Sequence, residues 1–155
     1  MKKFAIIIII GLGFTGCVKD DEVITAKEQL EIDIAIIDSY LGENNITAQI
    51  HESGLRYVIH VEGTGANPTT SDIVKVDYLG TLISDGTVFD QAEGVEFPLN
   101  QLILGWQIGF TLLKEGSEAT LYLPSGLGYG TRGSGNNIPP NANLIFDVTL
   151  ISVKK

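Results

Sequence analysis

The sequence predicts an α+β fold in which an antiparallel sheet wraps around one short helix, with a second, amphipathic helix ahead of the sheet. Three observations carry this. The only tryptophan, Trp106, sits between Gly105 and Gly109 and shares a helical face with Ile103, Phe110 and Leu113, at i−3, i+4 and i+7. Segments on both sides of it alternate apolar and polar residues with period two, the pattern of strands. Far upstream, Leu30, Ile34, Ile37 and Leu41 recur at spacings of four, three and four, which is one face of a helix. An apolar helical face must be covered, and a wrapping sheet is the economical cover. Glycines beside Trp106 let neighbouring backbone come close, so the indole would floor a concavity rather than fill a plain core.

Taken in order, the chain begins with Lys2 and Lys3, an apolar run from Phe4 to Phe14, and the small residues Thr15 and Gly16 before Cys17. The run is too short to span a bilayer as a helix. A basic start and a small-residue end are the pattern of a cleaved export signal, residues 1–16. Phe14-Thr15-Gly16-Cys17 resembles a bacterial lipobox with phenylalanine in place of the usual leucine, and the resemblance implies that Cys17 is acylated and anchors the protein in the membrane. A plain secretory signal with an incidental cysteine is the alternative. Residues 17–24 then form an acidic tether. Lys19 followed by Asp20, Asp21 and Glu22 resembles the signal that sends some lipoproteins to the outer face, and reads equally as a solvated spacer. The expected location is the cell envelope, as an outer-membrane lipoprotein facing either the periplasm or the surface.

Residues 25–46 hold the amphipathic helix, from Thr25 to Leu41, and a linker; Ile32, Ile36 and Tyr40 widen the stripe, and Gly42 with Asn44-Asn45 ends it. An isolated helix of this length is marginal in water, so it docks either on the domain or on a second copy, which would make a homodimer. The domain proper occupies 47–155. Leu55, Tyr57, Ile59 and Val61 alternate with Arg56, Val58 and His60 in a strand closed by Glu62-Gly63-Thr64-Gly65. Ile73 to Leu82 is the next strand, and Ser84-Asp85-Gly86 is a hairpin turn into Thr87-Val88-Phe89-Asp90. Beyond the Trp106 helix, Ala119, Leu121 and Leu123 mark a strand that Pro124 ends. Residues 125–141 form a loop rich in Gly, Asn and Pro, and the last strand, 144–153, turns Leu144, Phe146, Val148 and Leu150 inward.

Composition narrows the chemistry. The net charge is −9, and loss of residues 1–16 leaves eight basic against nineteen acidic residues, or −11, which argues against nucleic acid as a partner. One cysteine permits no internal disulfide, and two histidines, His51 and His60, at no ligand spacing give no basis for a metal site. Gly128-Tyr129-Gly130-Thr131-Arg132-Gly133 matches GxGxxG, but a dinucleotide fold needs a helix to follow, and Ile138-Pro139-Pro140 follows instead. No cofactor is expected.

Several motifs remain, and their order carries more than any one of them. Val76-Asp77-Tyr78-Leu79-Gly80, Asp85-Gly86-Thr87-Val88-Phe89-Asp90, Gly105-Trp106, Lys114-Glu115-Gly116-Ser117, Tyr129-Gly130, Ile138-Pro139-Pro140-Asn141-Ala142 and Leu144-Ile145-Phe146-Asp147-Val148 together resemble the FKBP-type peptidyl-prolyl cis-trans isomerases, in register from Gly54 to the C-terminus. The resemblance implies a five- or six-stranded antiparallel half-barrel around the short helix. It also implies an enzyme that rotates Xaa-Pro bonds without a cofactor, acting on proline-containing polypeptides among exported or envelope proteins. Carried over position by position, Trp106 is the floor of the implied pocket, with Tyr78, Phe89 and Phe146 as aromatic walls and Phe97 among the substrate-binding residues. The Ile103 amide, preceded by Leu102, holds a ligand carbonyl, the Tyr129 hydroxyl donates to the substrate amide, Asp90 stands at the edge, and Ile138 overhangs. Asp90, Tyr129, Phe89 and Tyr78 are the implied catalytic set. The chain departs from the pattern at Val95, where an aromatic is common, at Leu104 and Asn137, and in a short segment between Asp90 and Phe97. Taken singly, the aromatics read as core and Asp90 as a turn carboxylate; the shared register gives them roles. An FKBP-like binding or chaperone module with weak or no isomerase activity is the alternative.

Overall fold

The hydroxyl of Thr25 accepts from the Glu28 N–H while the Glu28 carboxylate accepts from the Thr25 N–H, and this capping box starts the first helix, α1 (Ala26–Glu43). A computed structural model describes residues 24–155, so the expectations for the export signal and Cys17 lie outside the described residues. The helix docks on its own domain. Ile37 and Leu41 are buried in a cluster with Tyr122 and Ile145, flanked by Val58. Two polar ties fix it there. Arg56 grips Asp38 through Nε at 2.9 Å and Nη2 at 3.1 Å. Asp33 accepts from the Ser125 N–H at 2.9 Å and the Ser125 hydroxyl at 2.6 Å. One expectation is corrected here: Ile32 and Ile36 are 43% and 45% exposed, while Asp33 is buried, because donors from Ser125 make a carboxylate the better fit at that position.

Among the described residues, six strands form one antiparallel sheet: β1 (Gln49–Ile50), β2 (Arg56–Val61), β3 (Ile73–Leu82), β4 (Val88–Pro98), β5 (Glu118–Leu123) and β6 (Leu144–Lys154), in the order β1-β2-β5-β6-β3-β4. Alternation sorts their side chains between two faces. Leu121 and Leu123 of β5 and Leu144, Phe146, Val148 and Leu150 of β6 point to the concave side, where the main core lies; Tyr122 and Ile145 point the other way, under α1. On the concave side sits the second helix, α2 (Leu104–Thr111), with Trp106, Phe110 and the following Leu113 buried. It lies very close to β5. A Cβ at Gly105 would collide with Leu123 and crowd the Leu127 carbonyl oxygen at 3.2 Å, and one at Gly109 would come within 2.7 Å of Leu121, so these glycines admit side chains of the sheet and, at Gly105, backbone as well.

Strand β4 is longer than its sequence suggests, because it runs through a bulge. Val76 pairs with Val95 but Tyr78 pairs with Ala92, so Glu93 and Gly94 together oppose Asp77. Gly94 takes the left-handed conformation this needs, with φ of 62°, and its N–H donates to the Asp77 carboxylate at 2.6 Å. The extra residue reverses the alternation beyond it. Asp90 therefore pairs with Gly80, on the same side as Tyr78, instead of facing away.

Docking of α1 is testable. Ile37→Ala should lower stability to chemical denaturation by about 2–5 kcal/mol, with faster amide exchange in α1, whereas Ile36→Ala should change it by no more than about 0.5 kcal/mol. Equal effects would mean that α1 is not seated on this face.

Candidate functional site

The residues between β4 and α2 are held by a short turn, Leu99–Gln101, and by Gln107, whose amide donates to the Leu102 carbonyl at 2.7 Å. That bond sets Leu102 and Ile103 at the mouth of α2. Ile103 is the N-cap of α2 and supplies no side-chain cap, so N–H groups of the first turn stay open to an acceptor.

Above this turn is a cavity of about 380 Å³ lined by Tyr78, Asp90, Phe97, Gln101, Leu102, Ile103, Trp106, Tyr129 and Phe146. Trp106 is at the centre of its aromatic set. Tyr78 meets the indole nearly perpendicular at 5.0 Å between ring centres, and Phe146 at 5.2 Å. Phe97 lies 6.2 Å away, also edge-on. Tilted rings of this kind satisfy the aromatic quadrupole while leaving a hollow between them, which flat stacking would close. The indole Nε1–H is buried and, among the described residues, has no hydrogen-bond partner. A buried unmet donor costs on the order of 1–3 kcal/mol, so the fold keeps a polar demand at the floor of an otherwise apolar bowl.

Two of the expected site residues do not line this cavity. Phe89 is half-buried, edge-on to Phe146 at 5.5 Å and packed over Gly80, so it adjoins a wall of the cavity. Ile138 is 6% exposed and belongs to the core; its backbone closes the loop through paired bonds with Ser134 at 2.9 and 3.1 Å. Gln101 lines the cavity and was not singled out in the sequence, where an exposed glutamine in a turn carries no signal.

The polar side of the bowl is built on Asp90. Its Oδ2 accepts from the Tyr78 hydroxyl at 2.8 Å. Burial, the hydrogen bond to Asp90 and the negative charges nearby push the Tyr78 phenol up to about 12. Burial and then the Asp90 charge also raise the Tyr129 phenol. Both tyrosines are therefore neutral hydrogen-bond donors at physiological pH. The site offers neutral donors and aromatic walls around a small apolar space, with one carboxylate at the rim. Such a bowl suits a compact apolar ring flanked by carbonyl groups.

Comparison with known proteins identifies the class. A family model for FKBP-type peptidyl-prolyl cis-trans isomerase matches residues 65–151, and the chain belongs to this family. A probable FKBP-type peptidyl-prolyl cis-trans isomerase FkpA of Neisseria meningitidis is 53% identical over 105 residues, 65% of this chain and 38% of that one. The outer membrane protein MIP of Legionella longbeachae is 49% identical over 124 residues, 76% of this chain and 53% of its own length. This chain thus spans roughly a third to a half of those two relatives. Among solved structures, a peptidyl-prolyl cis-trans isomerase from Pseudomonas syringae superposes with a TM-score of 0.73 at 27% identity, covering 84% of this chain and 97% of that one.

The phenol of Tyr78 provides a check on the site. Its proton is held tighter in the folded state than in the unfolded, so its contribution to stability is intact below the ordinary tyrosine value of 10 and is lost as pH rises towards about 12. Tyrosinate absorbance, compared with that of Tyr78→Phe, should show Tyr78 ionising late. Asp90→Asn should bring that ionisation part of the way down and leave Tyr122, which is held up by burial and by Tyr40 and Asp147, where it was.

Proposed function

We propose that the protein is a peptidyl-prolyl cis-trans isomerase that assists the folding of exported or envelope polypeptides. The observation that carries this is the ring of tilted aromatics around Trp106 with neutral donors and Asp90 at its rim. Rotation about an Xaa-Pro bond crosses a barrier of ~18–20 kcal/mol because it breaks amide resonance, and unassisted exchange takes on the order of tens to hundreds of seconds. The planar amide is more polar than the twisted one. Moving it from water to an apolar bowl therefore favours the twisted transition state, and lowering the barrier by ~4 kcal/mol gives roughly a thousandfold acceleration. In this reading Trp106, Tyr78, Phe97 and Phe146 receive the pyrrolidine ring, while Tyr129 and the Ile103 amide fix the carbonyls on either side. Asp90 biases the carbonyl dipole and orients the Tyr78 hydroxyl, and Phe89 acts by holding Phe146. No step needs a nucleophile, metal or cofactor.

Asp90→Leu and Tyr129→Phe should each lower kcat/KM for an Xaa-Pro peptide roughly ten- to a hundredfold, the loss of one or two hydrogen-bond energies in the transition state, with unchanged circular dichroism. Unchanged turnover in both would remove the site assignment. Suppression of aggregation without acceleration of proline-limited refolding would identify a binding module instead.

We further propose that residues 47–155 are the isomerase domain and that Cys17, acylated after removal of 1–16, anchors it in the outer membrane. The name of the Legionella relative supports an envelope location, and no helix among the described residues is long and apolar enough to cross a membrane. Cys17→Ser should move the protein from the membrane fraction to the soluble one. A homodimer through α1 would use the exposed Ile32 and Ile36; Ile32→Lys with Ile36→Lys would then halve the mass seen by sedimentation.

A further inference from the structure

A second cavity, about 600 Å³, lies between the first turns of α1 and the loop that follows β5. Ile24, Leu30 and Leu127 give it apolar walls, and Asp33 forms part of its lining. Asp33 is 1% exposed, and its hydrogen-bond partners are all neutral. Gln29 Nε2 donates to Oδ1 at 2.9 Å, and the Ser125 N–H and hydroxyl donate to Oδ2 at 2.9 and 2.6 Å. Among the described residues, Asp33 takes part in no ion pair, whereas Asp38 and Asp72 each meet a cation. Buried carboxylates are ordinarily matched by a positive charge, because neutral donors solvate the charge without cancelling it. A metal ion has no support here, since no group of three ligating side chains occurs among the described residues. The hydrogen bonds from Gln29 and Ser125 satisfy Asp33 without a countercharge, so a cation that could join it would be an organic one. A cavity of this size, mostly apolar with a few polar groups, is the common form of a ligand site, and the net charge of −9 favours a cationic occupant.

The position of the cavity indicates where that occupant comes from. Gly130 and Thr131 line it, while Tyr129, one residue earlier, lines the aromatic bowl, so a single loop separates the two. We propose that this cavity takes a lysine-like side chain, an ammonium on an aliphatic stem, from the same polypeptide whose proline enters the bowl. The stem lies along Leu30 and Leu127, and the ammonium donates to Asp33 Oδ1. The inference rests on the proline-site reading above, and it makes a basic residue near the proline a determinant of client choice.

The test uses the chain without its lipid and two series of Xaa-Pro peptides. One carries lysine and the other norleucine, at increasing distances on either side of the proline. At one spacing the lysine peptide should bind about tenfold more tightly, the scale of one charge-assisted hydrogen bond, and should shift the Gly126 and Thr131 amides together with those of Ile103 and Trp106. Asp33→Asn should erase the preference. Because Asp33 also seats α1, a second variant avoids that contact: a Cβ at Gly126, which lines the cavity, meets nothing within 4 Å, so the side chain of Gly126→Leu starts in open space. It should abolish the tenfold lysine preference and leave norleucine affinity unchanged.

Lysine and norleucine peptides that bind alike at every spacing would overturn the proposal. So would a lysine preference that survives both variants, which would reflect the acidic surface at large. Hexylamine shifting Gly126 where no lysine peptide does would point to a free amine and overturn the polypeptide source. A preference seen only after residues 18–23 are deleted would make the chain's own Lys19 the occupant, again overturning it. If no proline peptide moves Ile103 or Trp106, the proline-site reading has failed instead, which is a separate result.

Discussion

The buried indole of Trp106 is the constraint on which the site depends. It meets Tyr78, Phe97, Phe110 and Phe146 edge-on, at ring separations from 5.0 to 6.2 Å. Because all four rings are tilted against it, each gains its quadrupolar contact without lying flat on the indole. Phe110 holds it from the core side, and the other three leave the opposite side hollow. Removing the indole would therefore take away the floor of the cavity and the common partner of its walls at once.

Two backbone features make that arrangement reachable. At Gly105 and Gly109 the helix carries nothing that would hold it off Leu123 and Leu121, so α2 sinks into the concave face and delivers Trp106 to the level of β3 and β6. Across the sheet, the Glu93–Gly94 bulge puts one extra residue into β4. Strict alternation from Phe97 and Val95 would carry on through Glu93 to Gln91, with Asp90 on the outer side. The bulge reverses this, and Asp90 reaches the Tyr78 hydroxyl. A polar rim and an apolar wall thus come from one strand.

Much of this was legible in the sequence for reasons that can be separated. Period two in β6 and period 3.6 around Trp106 depend only on which residues are apolar, and both predicted the inward set of Leu144, Phe146, Val148 and Leu150 and the buried set of Trp106, Phe110 and Leu113. The register of the family motifs pointed to Tyr78, Asp90, Tyr129 and Phe146 as neighbours, which periodicity alone could not do. Three features escaped. The bulge hid the continuity of β4, because a glycine after a glutamate reads as the end of a strand. Phe89 and Ile138 belong to the motifs but are not among the residues that line the bowl, because their places depend on how Phe89 crosses Gly80 and how Ser134 closes the loop. Asp33 escaped because its partner, Ser125, is 92 residues away and a helical wheel scores a lone aspartate as solvent-facing.

That distant contact changes the meaning of α1. Read as an amphipathic segment after a tether, it would be a spacer. Seated as it is, its Asp33 shares the Ser125 N–H with the Asn143 side chain and takes the Ser125 hydroxyl as well. Ser125 begins the short turn Ser125–Leu127, and Tyr129 follows two residues after it. If α1 left its place, the Ser125 hydroxyl would lose its acceptor in a buried setting, at a cost on the order of 1–3 kcal/mol unless the loop moved to find another. The loop that carries Tyr129 and the helix nearest the tether therefore hold their positions together. The distance from Tyr129 to the floor of the bowl is set on both sides: by the core beneath Trp106, and by a helix on the opposite face of the sheet.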